Sequence, residues 1–269
     1  MATTMTTASG GPGVGDLLRG WRQRRRLSQL ALASEAAVSA RHLSFVETGR
    51  SKPSRELVLH LAEHLDVPLR ERNALLLAAG YAPTFRQSAL DDDEMAPVRD
   101  ALDTILAGHQ PFPAIVVNRG WDLVTANASA LAVLSEGVAD HLLAPPVNAL
   151  RVSLHPEGLA RRIVNFTEWA AHLVDRLRRE ADAYADPQLV ALHDELCSYP
   201  GVAGSEVPDD TAGRLFVPLV LATDGGELTF FSTVATFGTA RDITVEELAI
   251  ESFFPADPVT AASLQRRWA

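Results

Sequence analysis

The sequence contains a single cysteine, Cys197, among its 269 residues. One cysteine cannot form an internal disulfide, and it excludes a zinc site that is built from several thiolates. No apolar run approaches the roughly 20 residues that a membrane-spanning helix needs. Residues 1–15 also lack the basic start and the apolar stretch of a signal peptide. We therefore expect a cytoplasmic protein with no membrane contact.

Several patterns that enzymes use are missing as well. The second half has no G-x-S-x-G turn for a serine nucleophile, no glycine-rich phosphate loop and no histidine-rich metal spacing. His60 and His64 fit the zinc-protease pattern H-x-x-E-H, but no third ligand is apparent, so solvent-exposed histidines are the simpler interpretation. The sequence therefore predicts no enzyme, no catalytic residue, no metal and no tightly bound cofactor.

The charge is divided unevenly along the chain. Residues 1–90 contain 12 Lys and Arg against 7 Asp and Glu, whereas the remainder contains 12 against 27, so the net charges are +5 and −15. The hydrophobic content of 47% is typical of globular domains, and the length is sufficient for two of them. Because an acidic surface repels nucleic acid, any contact with nucleic acid is expected in the first domain alone.

Two short helices separated by a tight turn are predicted within residues 27–54. Ser28 and Ser39 stand where helix N-caps are expected, and Gly49 is the residue type that ends a helix in the left-handed conformation. Leu30 and Val46 are expected among their apolar contacts. One further helix is predicted before this pair and two after it. Together the five helices give an all-α domain over residues 14–80, after a disordered tail at 1–13.

The paired helices resemble the helix-turn-helix of the lambda-repressor-like (XRE) DNA-binding domain. The matching positions include Ser28-Gln29, Val38-Ser39 and Glu47-Thr48-Gly49-Arg50. In such a domain the second helix enters the major groove of double-stranded DNA. The resemblance implies that bases and phosphates are contacted by Gln29, Ser39, Ala40, Arg41, Ser44, Phe45, Arg50 and Lys52. Glu47 has the wrong charge for DNA, so we interpret it as a structural acceptor for a nearby arginine or backbone donor.

Residues 81–94 are predicted as a linker and residues 95–269 as a second, α+β domain. Short strands are expected at 114–118 and 121–127, and a hairpin is expected around Asp224-Gly225-Gly226. Helices are predicted over 163–184 and 189–197, and another over Val245–Phe253 near the end of the chain. The stretch WDLVTAN followed by a small-residue helix resembles the start of a PAS-type sensor domain.

The second domain as a whole resembles the ligand-binding domain of MmyB-like transcription regulators. The resemblance rests on residues 75–86, 95–102, 112–127, 153–173 and 226–257, which include the motifs FPAIVVNRGWDLVTAN and ESFFPAD. It implies a PAS-like antiparallel sheet packed with helices, and a fatty acid as one ligand of the family. The ligand-binding residues that we predict are His155, Arg162, Asn165, Phe166, Trp169, Phe231, Thr233 and Phe237.

Two functions agree with these observations. The first is a homodimeric transcription regulator whose second domain senses a small apolar or amphipathic ligand. The alternative is a DNA-bound module for dimerisation or protein interaction that holds no small molecule. The residues alone also allow the aromatic side chains of the second domain to be ordinary core.

Overall fold

The computed structural model describes residues 11–202 and 216–268. The chain forms two compact units, the first ending at Gln87 and also including Arg241–Ile243, and the second formed by the remaining residues. Of the predicted tail at 1–13, residues 1–10 lie outside the described part of the chain. The predicted domain limits at 80 and 94 stay predictions. In the described part of the chain, none of the helices combines the length and apolar character needed to cross a membrane.

The first unit contains the five predicted helices. In chain order they are α1 Val14–Arg24, α2 Gln29–Glu35, α3 Ala40–Glu47, α4 Arg55–His64 and α5 Leu69–Ala78. Serine side chains cap three of them: the hydroxyl oxygens of Ser28, Ser39 and Ser54 accept hydrogen bonds from backbone N–H groups in the first turns of α2, α3 and α4. Each cap satisfies a donor that the helix leaves unpaired. Gly49 has a φ of +70°, as predicted for the residue after α3.

The core of the first unit is built from leucines and small residues that face inward from all five helices. Leu32, Leu43 and Leu61 are almost completely buried, together with Trp21 of α1. Leu30, which was expected to pack inside, is 72% exposed. The reason is helical spacing, because α2 turns Leu32, Ala33 and Ala36 towards the core and leaves Leu30 on the opposite side.

The second unit is organised around a five-stranded antiparallel sheet. Its strands are β1 Ala114–Val117, β2 Leu123–Ala126, β3 Leu219–Thr223, β4 Gly226–Thr236 and β5 Ala249–Pro255. They lie in the order β2-β1-β5-β4-β3. The predicted hairpin is present, since β3 and β4 pair directly with Thr223 opposite Gly226. Pro218 immediately precedes the edge strand β3, a place where a missing N–H is tolerated.

The central strand β5 corrects the sequence prediction. The sequence was interpreted as a helix over Val245–Phe253, but only Ile243–Glu246 is helical, and the chain then continues as a strand. β5 pairs with β1 on one side and with β4 on the other, so it is buried within the sheet. A strand that is covered on both sides has a continuous apolar sequence, which by itself does not distinguish a strand from a buried helix.

Helices cover the two faces of this sheet unequally. The helices that follow α5 in the chain are α6 Ala96–Gly108, α7 Ala128–Leu134, α8 Ala149–Leu154, α9 Phe166–Tyr184, α10 Pro187–Cys197, α11 Ile243–Glu246 and α12 Pro258–Arg267. On one face, Ala114, Val116 and Ile250 pack with α6. On the other face, alternate residues of the same strands form the main core with α7 to α10 and α12. α8 has no counterpart in the sequence prediction.

Phe230 is central to the main core, and its substitution tests how far the second unit depends on that core. Its side chain is completely buried and contacts the edge of Phe253. We expect Phe230→Ala to lower the free energy of unfolding by about 3–5 kcal/mol, because it leaves a cavity. Urea unfolding of the full chain would measure this. The matched control is Phe216→Ala, since Phe216 is 53% exposed; equal losses from both variants would contradict this account of the core.

Candidate functional site

The helix-turn-helix of the first unit has the geometry that its sequence predicts. α2 and α3 are joined by Ala36–Ser39, where Ala37 has a φ of +51°. The N–H of Val38 donates to the Ala33 carbonyl and so closes the turn. Leu43 and Val46 face the core from α3, whereas Arg41 and His42 are exposed near its start. The start of α3 therefore presents a cation and a ring to the solvent.

A buried ion pair holds α3 against α1. Nε and Nη2 of Arg22 donate to the two carboxylate oxygens of Glu47 at 2.7 and 2.8 Å. Gln29 donates to the same carboxylate at 2.8 Å, and Arg19 donates to the Glu47 carbonyl oxygen. Burial alone would raise the pKa of Glu47, but these hydrogen bonds and the charges of Arg22 and Arg19 hold its pKa below its usual range. Glu47 is thus a structural acceptor, in agreement with its interpretation from sequence.

The predicted DNA-contacting residues are in part exposed, in part half-buried and in part bonded within the domain. Arg41, Arg50 and Lys52 are exposed; the Arg41 guanidinium lies 5.4 Å from the Phe45 ring and the Lys52 ammonium 5.3 Å from the Tyr81 ring. Ala40, Ser44 and Phe45 are half-buried along α3. Ser39 caps α3, and the side-chain N–H of Gln29 bonds to Glu47. DNA contact by these residues stays a prediction. His42, exposed beside Arg41, was not among them.

The arginines in α1 and just after it are not all available to contact DNA. Arg22 is buried against Glu47, and Arg25 donates to the carbonyl oxygens of Leu65 and Asp66. Arg24 and Arg26 are exposed. Arg22 and Arg25 therefore stabilise the packing of the domain, and Arg24 and Arg26 face the solvent.

The second unit contains an apolar cavity of about 100 Å³ between the sheet and its helices. The sheet contributes Ile115, Leu219 and Phe253 to its wall. The helical side includes the side chains of Ala130, Leu131 and Leu134 from α7, Leu150 and Ser153 from α8, and Trp169 and Leu173 from α9. Apolar walls with a few polar groups are typical of small-molecule sites.

A carboxylate interrupts the apolar wall at one place. Glu251 of β5 lines the cavity and is 4% exposed. An Nη1 atom of Arg176 lies 3.4 Å from one of its oxygens. Burial raises the pKa of Glu251, although the positive charge of Arg176 and a hydrogen bond with Ser232 act in the opposite direction. The cavity therefore has one charged group in a lining that is otherwise apolar except for Ser135 and Ser153.

The structure does not bring the predicted ligand-binding residues together at this cavity. Of those eight residues, Trp169 lines it, with its Nε1 donating to the Ser153 hydroxyl at 3.0 Å. Phe231, Thr233 and Phe237 point to the opposite face of the sheet, because residues of β4 alternate and Phe230 faces the main core. Phe231 stacks on Phe254 there.

The other predicted residues are engaged in local structure. Arg162 donates to the backbone carbonyls of Val133, Glu136 and Ala222. The Asn165 side chain bonds to the backbone of Pro218 and Val220 at the start of β3.

Phe166 packs at the edge of the main core. His155 lies with His141 and Glu157 in a group whose ligating atoms are within 4.8 Å of one another. Its Nδ1 already accepts a hydrogen bond from the Glu157 N–H, which commits that nitrogen to local structure. Ligand binding by the residues outside the cavity stays a prediction.

Sequence reasoning missed Glu251, although one signal was present. Residues 248–255, LAIESFFP, contain one charged side chain in an otherwise apolar stretch that ends in proline. Interpreted as a strand, this pattern places a carboxylate inside a sheet, where buried charges are rare unless they are paired or functional.

A capped helix-turn-helix, followed by a helix-covered antiparallel sheet with an apolar cavity, defines a DNA-binding regulator that carries a ligand-binding domain. Comparison with protein families agrees with this class. Residues 14–75 match a helix-turn-helix domain, and residues 98–266 match the MmyB-like transcription regulator ligand binding domain. The chain belongs to the MmyB-like transcription regulators.

Comparisons with individual proteins add little. No curated protein matches the chain. A solved structure described as an RNA-binding light-oxygen-voltage receptor is 10% identical with a TM-score of 0.29, and the match covers 95% of this chain and 62% of that one. At these values the likeness carries no conclusion about fold, ligand or nucleic acid.

The Arg22–Glu47 pair makes the stability of the first unit depend on one carboxylate. Glu47→Ala leaves the buried Arg22 guanidinium without its main partner, and we expect it to cost about 3 kcal/mol. Hydrogen exchange of peptides from α1 and α3 in the full chain would measure this loss. Glu35→Ala, at an exposed position of α2, is the matched control.

The same pair sets a pH dependence. Because the pKa of Glu47 is lowered in the folded state, its contribution is present above the usual glutamate pKa of about 4.3 and is lost as the pH falls through its folded-state pKa. Protection of α1 and α3 should therefore fall in acid, and Glu47→Ala should remove part of this dependence. An unchanged acid profile in the variant would show that other carboxylates are responsible.

Proposed function

We propose that this regulator binds double-stranded DNA through α2 and α3 and that its second domain binds a small apolar or amphipathic molecule in the cavity described above. The observation that supports the ligand most directly is the cavity itself, with its apolar walls and single carboxylate. The fatty acid implied by the family resemblance is one molecule of this class. The alternative is a domain that holds no ligand and serves dimerisation or protein interaction.

The DNA-binding proposal is supported by the chemistry at the start of α3. Arg41 is exposed and free of the Glu47 network, and an arginine fork can donate two hydrogen bonds to a guanine edge in the major groove. Lys52 and Arg50 are exposed just beyond α3, where cations can neutralise phosphates. We propose that Arg41 contacts a base and that Arg50 and Lys52 contact phosphates. We also propose that the protein is located in the cytoplasm, with the DNA.

We also propose that the protein acts as a homodimer. Helix-turn-helix proteins commonly bind as dimers, with half-sites that lie about 34 Å apart, one helical turn of DNA, or a multiple of it. The footprint of the protein on its operator would give this spacing.

The first test of the ligand proposal is native mass spectrometry of the freshly purified full chain, followed by extraction under denaturing conditions. A bound small molecule that is released on denaturation supports the sensor. A protein with no bound mass supports the interaction module instead, unless added apolar probes bind to it.

Arg41 should contribute to sequence preference rather than to general affinity. After the preferred site has been obtained by selection from random DNA, we expect Arg41→Ala to weaken binding to that site by about 1–3 kcal/mol and to relax preference at one base pair. Lys52→Ala is the comparison, because loss of a phosphate contact weakens all sequences alike. Fluorescence anisotropy measures both. An equal loss of affinity for all sequences in the Arg41 variant would indicate that Arg41 contacts phosphates and not a base.

Filling the cavity should remove ligand binding and leave the fold in place. Ala130 is buried in the cavity wall on α7, and Ala130→Leu adds three carbon atoms to that wall. We expect a loss of more than about tenfold in affinity for an apolar probe, since the space is lost at a well-packed site. Ala132→Leu on the same helix does not face the cavity and is the control. Equal binding by both variants would place the ligand elsewhere.

A further inference from the structure

The strand β4 extends beyond its neighbour at the edge of the sheet. β3 has five residues and β4 has eleven, and their pairing ends where Leu219 lies opposite Phe230. From there on, residues 231–236 of β4 pair with β5 on one side. In the described part of the chain, no strand lies on their other side. We call residues 231–236 the β4 overhang.

Alternate residues of the β4 overhang direct their backbone groups out of the sheet. The Thr229 carbonyl accepts from the Ala256 N–H on the side of β5, so every second residue after Thr229 also faces β5. The residues between them, Ser232, Val234 and Thr236, therefore direct their N–H and C=O groups to the open side. No backbone group of the described residues bonds to them there. These groups are free to pair with another strand.

The two outermost strands, in contrast, are met by other parts of the chain. At β3, the Val164 N–H donates to the Val220 carbonyl, and the Asn165 side chain accepts from the Val220 N–H. At the opposite edge of the sheet, the Leu123 N–H of β2 donates to the Val147 carbonyl. Proteins cover their sheet edges in this way because a free edge pairs readily with another chain. The β4 overhang has no such cover among the described residues.

The usual protections of a free edge are also missing from the β4 overhang. Its sequence, FSTVAT, contains no charged residue and no proline, and half of it is β-branched. The register with β5 runs without a shift from Phe230 to Thr236, so the edge is regular. Residues 233–236 are exposed, and the apolar Val234 is 45% exposed. A regular, uncharged and exposed edge is suited to pair with a further strand.

Charge favours a second copy of this chain as the source of that strand. The sequence contains no charged residue from Leu228 to Ala240, although residues 91–269 carry 12 Lys and Arg against 27 Asp and Glu, a net charge of −15. Two copies of so acidic a domain repel each other at most contacts, and least where neither carries a charge. A basic partner would instead be attracted to the acidic surface outside this stretch.

The β4 overhang is also complementary to itself. When two copies pair antiparallel about a two-fold axis at Val234, Val234 of one copy lies opposite Val234 of the other, and Ser232 lies opposite Thr236. These are the residues whose backbone groups face the open side, so each N–H and each C=O among them meets a partner. The two sheets then form one continuous sheet.

Apolar side chains beside the β4 overhang supply the burial that a stable dimer also needs. The Phe216 ring is 53% exposed, and its centroid lies 5.6 Å from that of Phe231, which stacks on Phe254. Val234 adds apolar surface on the other face of the strand. This surface matters because the hydrogen bonds replace bonds with water and contribute little by themselves.

We propose that the β4 overhang is a homodimer interface, in which two copies of the chain pair antiparallel through Ser232, Val234 and Thr236. The inference rests on the homodimer proposed above and names the surface that forms it. The second domain then brings two helix-turn-helix domains together for the two half-sites of an operator.

Sedimentation velocity of the full chain over a range of concentrations measures the dissociation constant of the dimer. Val234→Lys places two like charges opposite each other at the two-fold axis, so we expect it to weaken dimerisation at least about tenfold. Val190→Lys adds the same charge at a position of α10 that is 48% exposed, and it should change the constant by less than about twofold.

A crosslink tests the register of the interface. In a Cys197→Ser background, Val234→Cys should form a disulfide between two copies on mild oxidation, because opposed residues of antiparallel strands have Cα atoms about 4.5–5.5 Å apart, which a disulfide spans. Val190→Cys in the same background is the control and should not crosslink. Electrophoresis without reductant measures both. Cysteine is close to valine in size, so this variant decides the question if Val234→Lys does not fold.

The outcomes separate this interface from the homodimer itself. A dimer that Val234→Lys leaves intact and that Val234→Cys does not crosslink would overturn the interface, and the homodimer would then form through another surface. A chain that stays monomeric at every concentration, with and without operator DNA, would reject both the interface and the homodimer.

Discussion

The hydrogen-bonded ladder of β5 is the interaction on which the ligand-binding domain depends. β1 and β2 belong to the first part of the domain, and β3 and β4 come some hundred residues later; β5 lies between the two hairpins and pairs with both. Without β5, each hairpin would be a separate two-stranded ribbon, which is marginally stable at best. The sheet face that closes the cavity combines Ile115 of β1, Phe253 of β5 and Leu219 of β3, and it exists only when this last strand is in place.

Two buried carboxylates in this protein, Glu47 and Glu251, differ in how completely an arginine pairs with them. At Glu47, Arg22 donates to both oxygens and Gln29 adds a third hydrogen bond. At Glu251, Arg176 is farther away and is shared with Glu180, and the carboxylate borders an apolar space. A carboxylate that accepts from one arginine with both oxygens, as Glu47 does, holds two helices together. An incompletely neutralised carboxylate next to a cavity can still accept a hydrogen bond from a ligand.

The features that sequence predicted well are those with local causes. Serine caps, the glycine after α3 and the glycines of the β3–β4 hairpin act within a few residues, so their effect is visible in a short window. The role of Glu47 also followed from its charge in a region that must accept DNA. β5 was missed because its apolar run has no alternation, and its partners, such as Val116 opposite Ile250, are far away in sequence.

The cavity could not be predicted for a related reason. A space between packed elements belongs to no single stretch of sequence, and Trp169 was the one predicted ligand residue that lines it. Phe231 and Phe237 were chosen because they are aromatic, but the register of β4 turns them to the other face of the sheet. Arg162 was chosen for its charge, which the backbone carbonyls around it already use. Composition identifies candidate groups, and only packing decides which of them meet.

The two sides of the cavity are unequal in stiffness, and this bears on how a ligand can control the domain. On the sheet side, β1 and β5 each have hydrogen-bonded partners along both edges. On the other side, α7 and α8 have seven and six residues, and Leu131 in the wall is 54% exposed. Short, partly exposed helices open at lower free energy than paired central strands.

A ligand changes the function of a protein only through a difference in its affinity for two states. If α7 and α8 are the elements that move, a molecule in the cavity favours the state in which both helices close over it. The apolar contacts with α7 and α8 differ between the states, so they supply the coupling. The coupling therefore depends on the helical wall of the cavity, whereas the paired strands form the wall that changes least.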